Sequence, residues 1–421
     1  MKWEKVKLGE LYEVHNGLSK AGKFFGEGYP FLTFSTVFNN YFIPKQITDL
    51  VQSTEKEQES YSIRRGDVFV TRTSETSDEL GMSCVALKDY PMATYNGFTK
   101  RMRPITNRVF PEYIGYYMRL PSFRGEFRAF STMTTRASLR NEDLLGLEVK
   151  LPSIEIQKQI AGILSAYDDL IENNQKQIKL LEEAAQRLYK EWFVDLRFPG
   201  HENTKIVDGV PEGWSKNPIQ DFISYEIGGG WGEELQNEKS MIPAYVIRGT
   251  DIKGLVNGQL QSVPYRYHTA GSLETRKLRD GDIVFEVSGG SKTEGVARTV
   301  RIIDLMLKTW ENSVICASFC KRIKPIPSFS QYLYDSFRWM RLNGKTQEYD
   351  KKSASSIVNY RWKDFLAQEK ILKPDEETIS RYNNIAGTIY TKIIVCSCQI
   401  EQAKMKRDLL LPKLMNGEVE V

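Results

Sequence analysis

Two long stretches of the chain place apolar residues at alternating steps of three and four. This spacing is typical of a helix that buries one narrow stripe against a second helix. In the first stretch the stripe residues are Ile160, Ile163, Tyr167, Leu170, Ile178, Leu181, Ala185, Leu188 and Trp192. In the second they are Tyr382, Ile385, Ile389, Ile393, Cys396, Ile400, Ala403, Leu410 and Leu414. Asn174 occupies a stripe position where two steps of four meet, which predicts a stutter in the helix phase.

The residues that flank these stretches set the ends of two helices. Pro152 precedes the first helix and Phe198-Pro199-Gly200 follows it, while the second runs from Glu376 to Met415. A helix of ~40 residues is ~60 Å long, which is too long for a domain of ~150 residues to cover its stripe. We therefore predict an intramolecular antiparallel coiled coil with one globular domain near each end. The alternative is that each helix packs across its own domain as a core helix.

The segments outside the helices repeat the same features in the same order. Trp3 matches Trp214, the run Gly66-Asp67-Val68-Phe69 matches Gly281-Asp282-Ile283-Val284, and FTKRMRPI matches FCKRIKPI. Each half has strand-like runs opened by a Gly-Asp turn, and one long helix follows them. This order predicts an α/β (α+β) fold with an internal pseudo-twofold repeat. The predicted bounds are 1–152 for the first globular domain, 153–198 for the first helix, 199–374 for the second globular domain and 375–421 for the second helix.

Composition narrows the class of protein further. The 421 residues are 41% hydrophobic and 27% charged, with a net charge of +4, so any basic surface for nucleic acid must be local. The five cysteines are scattered and there are three histidines, which argues against a disulfide framework and against a zinc site. No apolar run reaches the ~18 residues of a membrane helix. We expect a cytoplasmic protein that contacts no membrane.

Two stretches of the sequence resemble a known family. The stretch LPSIEIQKQIAGILSAYDDLIENNQKQIKLLEEAAQRLYKEWFVDLRFPG resembles the central conserved region of the specificity subunits of Type I restriction–modification systems, and KRDLLLPKLMNGEVEV resembles their C-terminal conserved region. The two globular halves match the two target-recognition domains of that family in size, order and opening tryptophan.

The resemblance implies a DNA-binding subunit that is not an enzyme. Such a subunit binds double-stranded DNA and assembles with two modification (methyltransferase) subunits, and further restriction (motor-nuclease) subunits complete the complex. The target is bipartite and asymmetric: one domain reads each half-site, and the helix pair sets the spacer between them. The resemblance further implies no cofactor in this chain, since AdoMet, ATP and Mg²⁺ belong to the partner subunits.

Basic residues that the two halves share are candidates for phosphate contacts or for a structural role. If the halves read different sequences, shared residues cannot discriminate between bases. The shared triplets are Lys100, Arg101 and Arg103 in the first half, and Lys321, Arg322 and Lys324 in the second. The alternative for each triplet is a solvated strand edge.

Residues that differ between equivalent loops are the candidates for base reading. Arginine can bind guanine O6 and N7 in a bidentate manner, and Ser and Thr hydroxyls suit base edges or phosphates. The first half offers Arg72, Thr73, Ser74, Thr135 and Arg136. The second half offers Ser288, Ser291, Lys292, Lys352, Ser353, Tyr360 and Arg361. Ser288 to Lys292 is glycine-rich, which lets backbone amides approach phosphate. An ordinary surface loop has the same composition.

Other interpretations of the sequence find less support. Phe24-Phe25-Gly26-Glu27-Gly28 has the F-x-G-x-G spacing of a methyltransferase cofactor loop, but no N/D-P-P-Y/F tetrad accompanies it. The segment after Ser288 lacks the P-loop spacing. A rod that carries two protein-binding domains remains the rival to a DNA-binding subunit. Trp192, Phe193 and Leu196 form either an apolar dock for a methyltransferase subunit or a hinge that packs onto the second domain.

Overall fold

The computed structural model describes residues 3–74, 79–129, 137–256, 263–289, 295–352 and 357–421. The chain forms two compact units. The first, here called the N-terminal unit, comprises Met1–Asp169 and Met405–Val421. The second, the central unit, comprises Leu170–Lys404. None of the helices in the described ranges is both long and apolar enough to cross a membrane.

The N-terminal unit alternates short strands and helices. Its strands are β1 (Glu4–Lys7), β2 (Tyr12–Asn16), β3 (Phe25–Leu32), β4 (Leu50–Val51), β5 (Val68–Thr71), β6 (Thr73–Ser74), β7 (Ser83–Val85), β8 (Thr94–Tyr95), β9 (Thr99–Pro104), β10 (Ala137–Ser138) and β11 (Glu148–Leu151). Its helices are α1 (Leu8–Leu11), α2 (Phe34–Asn39), α3 (Glu55–Ser60), α4 (Pro111–Tyr117), α5 (Pro121–Ala129), α6 (Asn141–Gly146) and the first part of α7 (Ile154–Phe193).

The central unit has a similar succession of elements. Its strands are β12 (Ile206–Val207), β13 (Val210–Pro211), β14 (Ser215–Pro218), β15 (Ile223–Gly228), β16 (Ile242–Ile247), β17 (Tyr265–His268), β18 (Ile283–Glu286), β19 (Ser288–Gly289), β20 (Thr299–Arg301), β21 (Ser313–Cys316), β22 (Cys320–Pro325), β23 (Asp350–Lys352), β24 (Val358–Tyr360) and β25 (Lys370–Lys373). Its helices are α8 (Ile252–Val256), α9 (Ala270–Arg276), α10 (Asp304–Leu307), α11 (Ser330–Leu342), α12 (Trp362–Gln368) and most of α13 (Glu376–Asn416).

The principal sheets of the two units share one topology. An antiparallel four-stranded sheet has the order β2-β9-β5-β7 in the N-terminal unit and β15-β22-β18-β20 in the central unit. A three-stranded sheet has one antiparallel and one parallel pairing in each unit, in the orders β4-β3-β8 and β17-β16-β21. The strand-like runs predicted after the Gly-Asp turns are confirmed as the buried strands β5 and β18.

The Gly-Asp turn opens each of these strands by the same bonds. Gly66 and Gly281 adopt φ values of 89° and 83°, a left-handed conformation that glycine adopts without strain. The carboxylate of Asp67 accepts the backbone N–H of Arg64 at 2.7 Å, and that of Asp282 accepts the N–H of Arg279 at 2.8 Å. These bonds close the turn and fix where the strand begins.

Parts of α7 and α13 complete the core of each unit. In the N-terminal unit, Ile160 and Leu164 of α7 belong to the same buried cluster as Leu411 and Leu414 of α13. Farther along α7 in this unit, the carboxylate of Asp168 accepts a hydrogen bond from Arg407 Nη1 at 2.5 Å. Residues later in α7 therefore contact residues earlier in α13, so the two helices run antiparallel here.

The central unit shows the same antiparallel pairing. Gln177 Oε1 lies 3.8 Å from Cys396 Sγ, and the ring of Phe193 contacts that of Tyr382 with centroids 4.8 Å apart. Trp192 and Phe193 are buried here, and Phe193 also lies against the rings of Trp214 and Tyr332. Of the two interpretations offered for this aromatic pair, the geometry supports packing onto the second globular domain.

The buried stripe of α7 differs from the predicted one by one residue in its first half. Ile163 and Leu170 are exposed, whereas Leu164 and Ile171 are buried. Asn174 is 2% exposed, and the steps from Ile171 through Asn174 to Ile178 are three and four, so the predicted stutter is wrong. Apolar residues occupy both positions of each adjacent pair, and periodicity alone cannot choose between stripes ~100° apart.

The stripe of α13 is displaced in the same way. Ile385 is exposed and Ala386 is buried in its place. Ile389 and Leu410 are only half-buried, beside the buried Tyr390 and Leu411. The predicted stripe residues that lie buried in the two helices are Ile160, Ile178, Ala185, Trp192, Tyr382, Ile393, Cys396, Ile400, Ala403 and Leu414. Those that lie half-buried are Tyr167, Leu181, Leu188, Ile389 and Leu410.

Replacing Asn174 with leucine should stabilise the protein. The Nδ2 atom of Asn174 is buried and has no hydrogen-bond partner among the described residues. An unpaired buried donor costs about 1–3 kcal/mol, so Asn174→Leu should raise the free energy of unfolding by that amount in urea denaturation. Asn173→Leu, at the exposed neighbouring position, is the matched control and should change it little. Equal or lower stability for Asn174→Leu would show that the amide is satisfied in solution.

Candidate nucleic-acid interface

A short β ladder adjoins the central strand of each unit. In the N-terminal unit β6 pairs with β10, with Thr73 opposite Ser138. In the central unit β19 pairs with β24, with Ser288 opposite Asn359, and β24 also pairs with β23. The structure thus joins the loops that the sequence analysis selected separately in each half. We call the β6/β10 pair the first ladder and the β19/β24/β23 set the second ladder.

The same backbone bond fixes both ladders to the strands before them. The N–H of Leu139 donates to the carbonyl of Arg72 at 2.9 Å, and the N–H of Tyr360 donates to the carbonyl of Val287 at 2.9 Å. Arg72 and Val287 each follow the central strand of the unit. Loops far apart in sequence are therefore held together by main-chain bonds, which leave the side chains free to differ.

Several predicted contact residues are not described by the structure. Thr135, Arg136, Ser291, Lys292 and Ser353 lie outside the described residues. For Thr73, Ser74 and Lys352 the structure describes the backbone, and places it in the two ladders. Their assignment as DNA contacts stays a prediction.

Arg72 and Lys100 form a cationic pair beside the first ladder. Arg72 Nε is buried and has no hydrogen-bond partner in the described part of the chain. The Lys100 ammonium bonds to Asn141 Oδ1, and burial together with the nearby charge of Arg72 lowers the pKa of Lys100. Two adjacent cations in a poorly solvated place favour an anion. Lys100 is only 5% exposed, so the half-buried Arg72 is the member of the pair that a DNA phosphate can reach.

Arg101 and Arg322 serve the fold and not the surface. Arg101 is 3% exposed, and its Nη1 donates to the carbonyl of Ser62 at 2.8 Å. Arg322 Nε lies 2.8 Å from the buried carboxylate of Asp282. The phosphate-contact interpretation of Arg101 is therefore wrong, because its side chain is buried and its Nη1 is bonded to a backbone carbonyl of the fold.

The other shared basic residues divide between the two roles. Arg103 bonds to Asp67 at 2.7 Å and supports the first Gly-Asp turn. Lys321 is half-buried, and its ammonium lies 3.4 Å from a carboxylate oxygen of Glu226. Lys324 is exposed. The repeated basic triplets thus hold strands together at their arginines, and Lys324 is the member that solvent reaches most freely.

The predicted contacts of the second ladder differ in exposure. The Ser288 hydroxyl donates to Asn359 Oδ1 at 2.8 Å and so spans the ladder. Tyr360 is buried, with its ring centroid 5.3 Å from those of Phe285 and Phe365, which contradicts its assignment as a DNA contact. Arg361 is exposed, and its guanidinium lies 5.5 Å from the Tyr349 ring centroid.

One further residue that could contact a DNA base was not predicted from the sequence. Asn359 is exposed between the buried Val358 and Tyr360, directly opposite Ser288. Asparagine can bind the N6 and N7 atoms of adenine in a bidentate manner. The apolar–polar–apolar alternation of Val358-Asn359-Tyr360 is the signal that could have identified it.

The enzyme-like motifs have structural explanations or no support. Phe25 to Gly28 of the F-x-G-x-G segment lie in strand β3, and a Cβ atom at Gly28 would lie 2.6 Å from the carbonyl oxygen of Val51. This glycine permits close pairing with β4. Within the described ranges, no cluster of three or more His, Cys, Asp or Glu side chains has the geometry of a metal site.

Comparisons with known proteins agree on one family. Residues 1–183 match the family model of the Type I restriction modification DNA specificity domain. The chain is 27% identical over 435 residues to the specificity subunit of the Type I restriction enzyme MjaIX from Methanocaldococcus jannaschii, covering 100% of this chain and 94% of that protein. It is 26% identical over 496 residues to the HindI specificity subunit from Haemophilus influenzae, covering 99% of both.

A solved structure extends the agreement to the fold. The crystal structure of the S subunit of a Type I restriction–modification system from M. genitalium matches with a TM-score of 0.61 at 13% identity, covering 98% of this chain and 96% of that one. The predicted resemblance to the specificity subunits of Type I restriction–modification systems is confirmed. These matches agree with the predicted role of a DNA specificity subunit.

Removing the Arg322 guanidinium should destabilise the protein without altering phosphate contacts. Arg322→Met leaves the buried Asp282 carboxylate without the arginine of its ion pair, which should lower the free energy of unfolding by about 3–5 kcal/mol. Lys324→Met, two residues along the same strand but exposed, should change it by less than about 0.5 kcal/mol. Urea denaturation measures both. Unchanged stability, with a DNA-binding salt slope that falls by about 1, would instead identify Arg322 as a phosphate contact.

Proposed function

We propose that this specificity subunit reads a bipartite, asymmetric DNA site, with one half-site for each globular unit. One observation carries the proposal: both units hold a ladder of two loops at the same place on the same sheet, while the ladder residues differ. Arg72 occupies the position that Val287 has in the central unit, and both carbonyls make the same bond. A common scaffold with different reading residues suits two different half-sites.

The matched topologies support an origin of the two units by duplication. Phe69 pairs with Arg101 across β5 and β9, and Val284 pairs with Arg322 across β18 and β22. These are the residues that the sequence repeat aligns, so repeat and register agree. We infer a pseudo-twofold repeat within the chain.

We further infer that α7 and α13 form an antiparallel coiled coil that sets the spacer between the half-sites. The contact of Asp168 with Arg407 in one unit and of Phe193 with Tyr382 in the other supports this pairing along both helices. Half-sites read from one face of DNA lie about one helical turn, ~34 Å, apart. A rigid helix pair fixes such a distance, whereas a flexible linker does not.

The proposed partners follow from membership of the family. The chain would assemble with two methyltransferase subunits, and restriction subunits with motor and nuclease activities would complete the complex. AdoMet, ATP and Mg²⁺ would be bound by those partners. The role of this chain is to direct their chemistry to one DNA sequence.

The proposal predicts steep salt dependence and a defined methylation motif. Binding through six or more phosphates should weaken by about 10³-fold between 50 and 200 mM salt, as measured by fluorescence anisotropy with the chain and its methyltransferase partner. Methylome sequencing of a host that carries both should return two half-sites and a spacer. Salt-insensitive, sequence-blind binding would favour a protein scaffold, and AdoMet binding by the isolated chain in calorimetry would favour a solitary methyltransferase.

Matched deletions in the two helices should alter the spacer. Removing residues 171–177 and 397–403, which lie opposite each other according to the Gln177–Cys396 contact, shortens each helix by about 10 Å, or about three base pairs of DNA. Methylation of the original site should be lost, and a motif detected in its place should keep both half-sites with a spacer shorter by that amount. An unchanged spacer in the methylome would show that the helices do not set it.

A further inference from the structure

Phe98 and Phe319 are the most exposed aromatic side chains in the described ranges, each at 58%. They occupy equivalent places in the two units, as the first residue of FTKRMRPI and of FCKRIKPI. Each is the third residue of a tight turn: the N–H of Thr99 donates to the carbonyl of Asn96 at 2.9 Å, and the N–H of Cys320 donates to that of Ala317 at 2.8 Å. The two turns therefore present the ring in the same way.

The backbone carbonyl of each phenylalanine accepts a hydrogen bond from the residue just before the first strand of a ladder. The carbonyl of Phe98 accepts the N–H of Arg72 at 3.0 Å. The carbonyl of Phe319 accepts the N–H of Val287 at 2.9 Å and that of Ser288 at 3.2 Å. The rings consequently lie beside the loops that read DNA in the proposed function, on turns that main-chain hydrogen bonds hold.

Folding does not explain these rings. Exposed phenyl surface is unfavourable in water, and the turn residues around the ring differ between the units: Asn96-Gly97 precedes Phe98 where Ala317-Ser318 precedes Phe319. An aromatic ring that occurs at the same exposed point in both units, while its neighbours have changed, indicates contact with a ligand common to both.

The surroundings of the rings favour DNA as that ligand. Arg72 and Lys100 lie next to the turn in the N-terminal unit, and Lys321 follows Phe319 by two residues in the central unit. The exposed Lys351 stands opposite Asn359 in the second ladder. An apolar ring among cations and hydroxyls suits the stacked bases and phosphates of a duplex better than the apolar face of a protein.

We propose that Phe98 and Phe319 insert their rings against base steps, one in each half-site, and partly unstack them. This inference rests on the proposed function. Every base has a π face, so such a contact tolerates any sequence, and apolar wedges of this kind are known to open base steps. The shared rings would therefore add affinity and local opening, while the residues that differ between the ladders would discriminate bases.

The test uses the chain assembled with its methyltransferase partner and the duplex that the methylome identifies. Phe98→Ala and Phe319→Ala should each weaken binding about tenfold, within the range known for loss of one base-stacking aromatic. Ile105→Ala and Met241→Ala are matched controls, since these side chains are 57% and 58% exposed and lie at the far ends of β9 and β16 from the turns. They should bind as the unaltered complex does.

A local readout separates stacking from a structural effect. 2-Aminopurine substituted for adenines in either half-site should brighten when the unaltered complex binds. Phe98→Ala should abolish that change in one half-site, and Phe319→Ala in the other. Phe98→Trp, which keeps an aromatic ring, should retain both binding and the fluorescence change.

The possible results distinguish this inference from the proposed function. If the complex binds its duplex and both alanine variants match the controls in affinity and fluorescence, the insertion of the rings is wrong and the proposed function stands. If the alanine variants lose the methyltransferase subunits on gel filtration, the rings dock a protein and the inference is wrong. If the unaltered complex binds no duplex in a salt-dependent manner, the proposed function fails, and the inference fails with it.

Discussion

Burial of the apolar stripes of α7 and α13 is the constraint on which the rest of the structure depends. Helices of 40 and 41 residues expose stripes that no small sheet can cover. Each unit solves this by bringing a segment of one helix against a segment of the other. The last strand of the N-terminal unit ends at Leu151. Its core nevertheless includes Leu411, Leu414 and Met415, which α13 contributes from a segment far away in sequence.

This arrangement makes the N-terminal unit dependent on the whole chain. Ile160 and Leu164 are fully buried in a cluster that Leu411 and Leu414 complete. The ion pair of Asp168 with Arg407 is held further by Tyr116, whose hydroxyl donates to the other Asp168 oxygen at 2.5 Å. Apolar burial supplies most of the stabilisation, and the polar contact restricts the register at which the helices meet. The proposed spacer role requires such a restriction.

The repeated scaffold separates folding from recognition. Both units have the Gly-Asp turn, the central strand and an arginine opposite that strand. The charged groups of the aspartate and the arginine form hydrogen bonds or ion pairs within the unit. Main-chain hydrogen bonds, which require no particular side chain, fix each ladder to the residue that follows the central strand. Residues such as Ser288 and Asn359 can therefore change without loss of a strand or a core contact. In the proposed function, this freedom allows the two units to read different sequences.

Much of this architecture could be predicted from local patterns. The 3–4 spacing predicted both long helices, and the structure has them at Ile154–Phe193 and Glu376–Asn416. The Gly-Asp turns predicted the strands at Val68–Thr71 and Ile283–Glu286. These features are local, because glycine conformation and the helical period depend on residues a few positions apart.

Only the tertiary structure decided which neighbouring residue is buried and what each charge contacts. Leu164 and Ile171 are buried, whereas Ile163 and Leu170 are exposed. Leu164 lies in the cluster that Leu411 and Leu414 of the other long helix complete. Arg101 is unavailable to DNA because its side chain is buried and donates to the carbonyl of Ser62. Tyr360 is unavailable because its ring packs against those of Phe285 and Phe365. Burial and charge pairing depend on contacts between segments that are distant in sequence. The amino-acid sequence alone therefore determines the helices and strands of this protein, while tertiary packing determines which of their side chains remain available to a ligand.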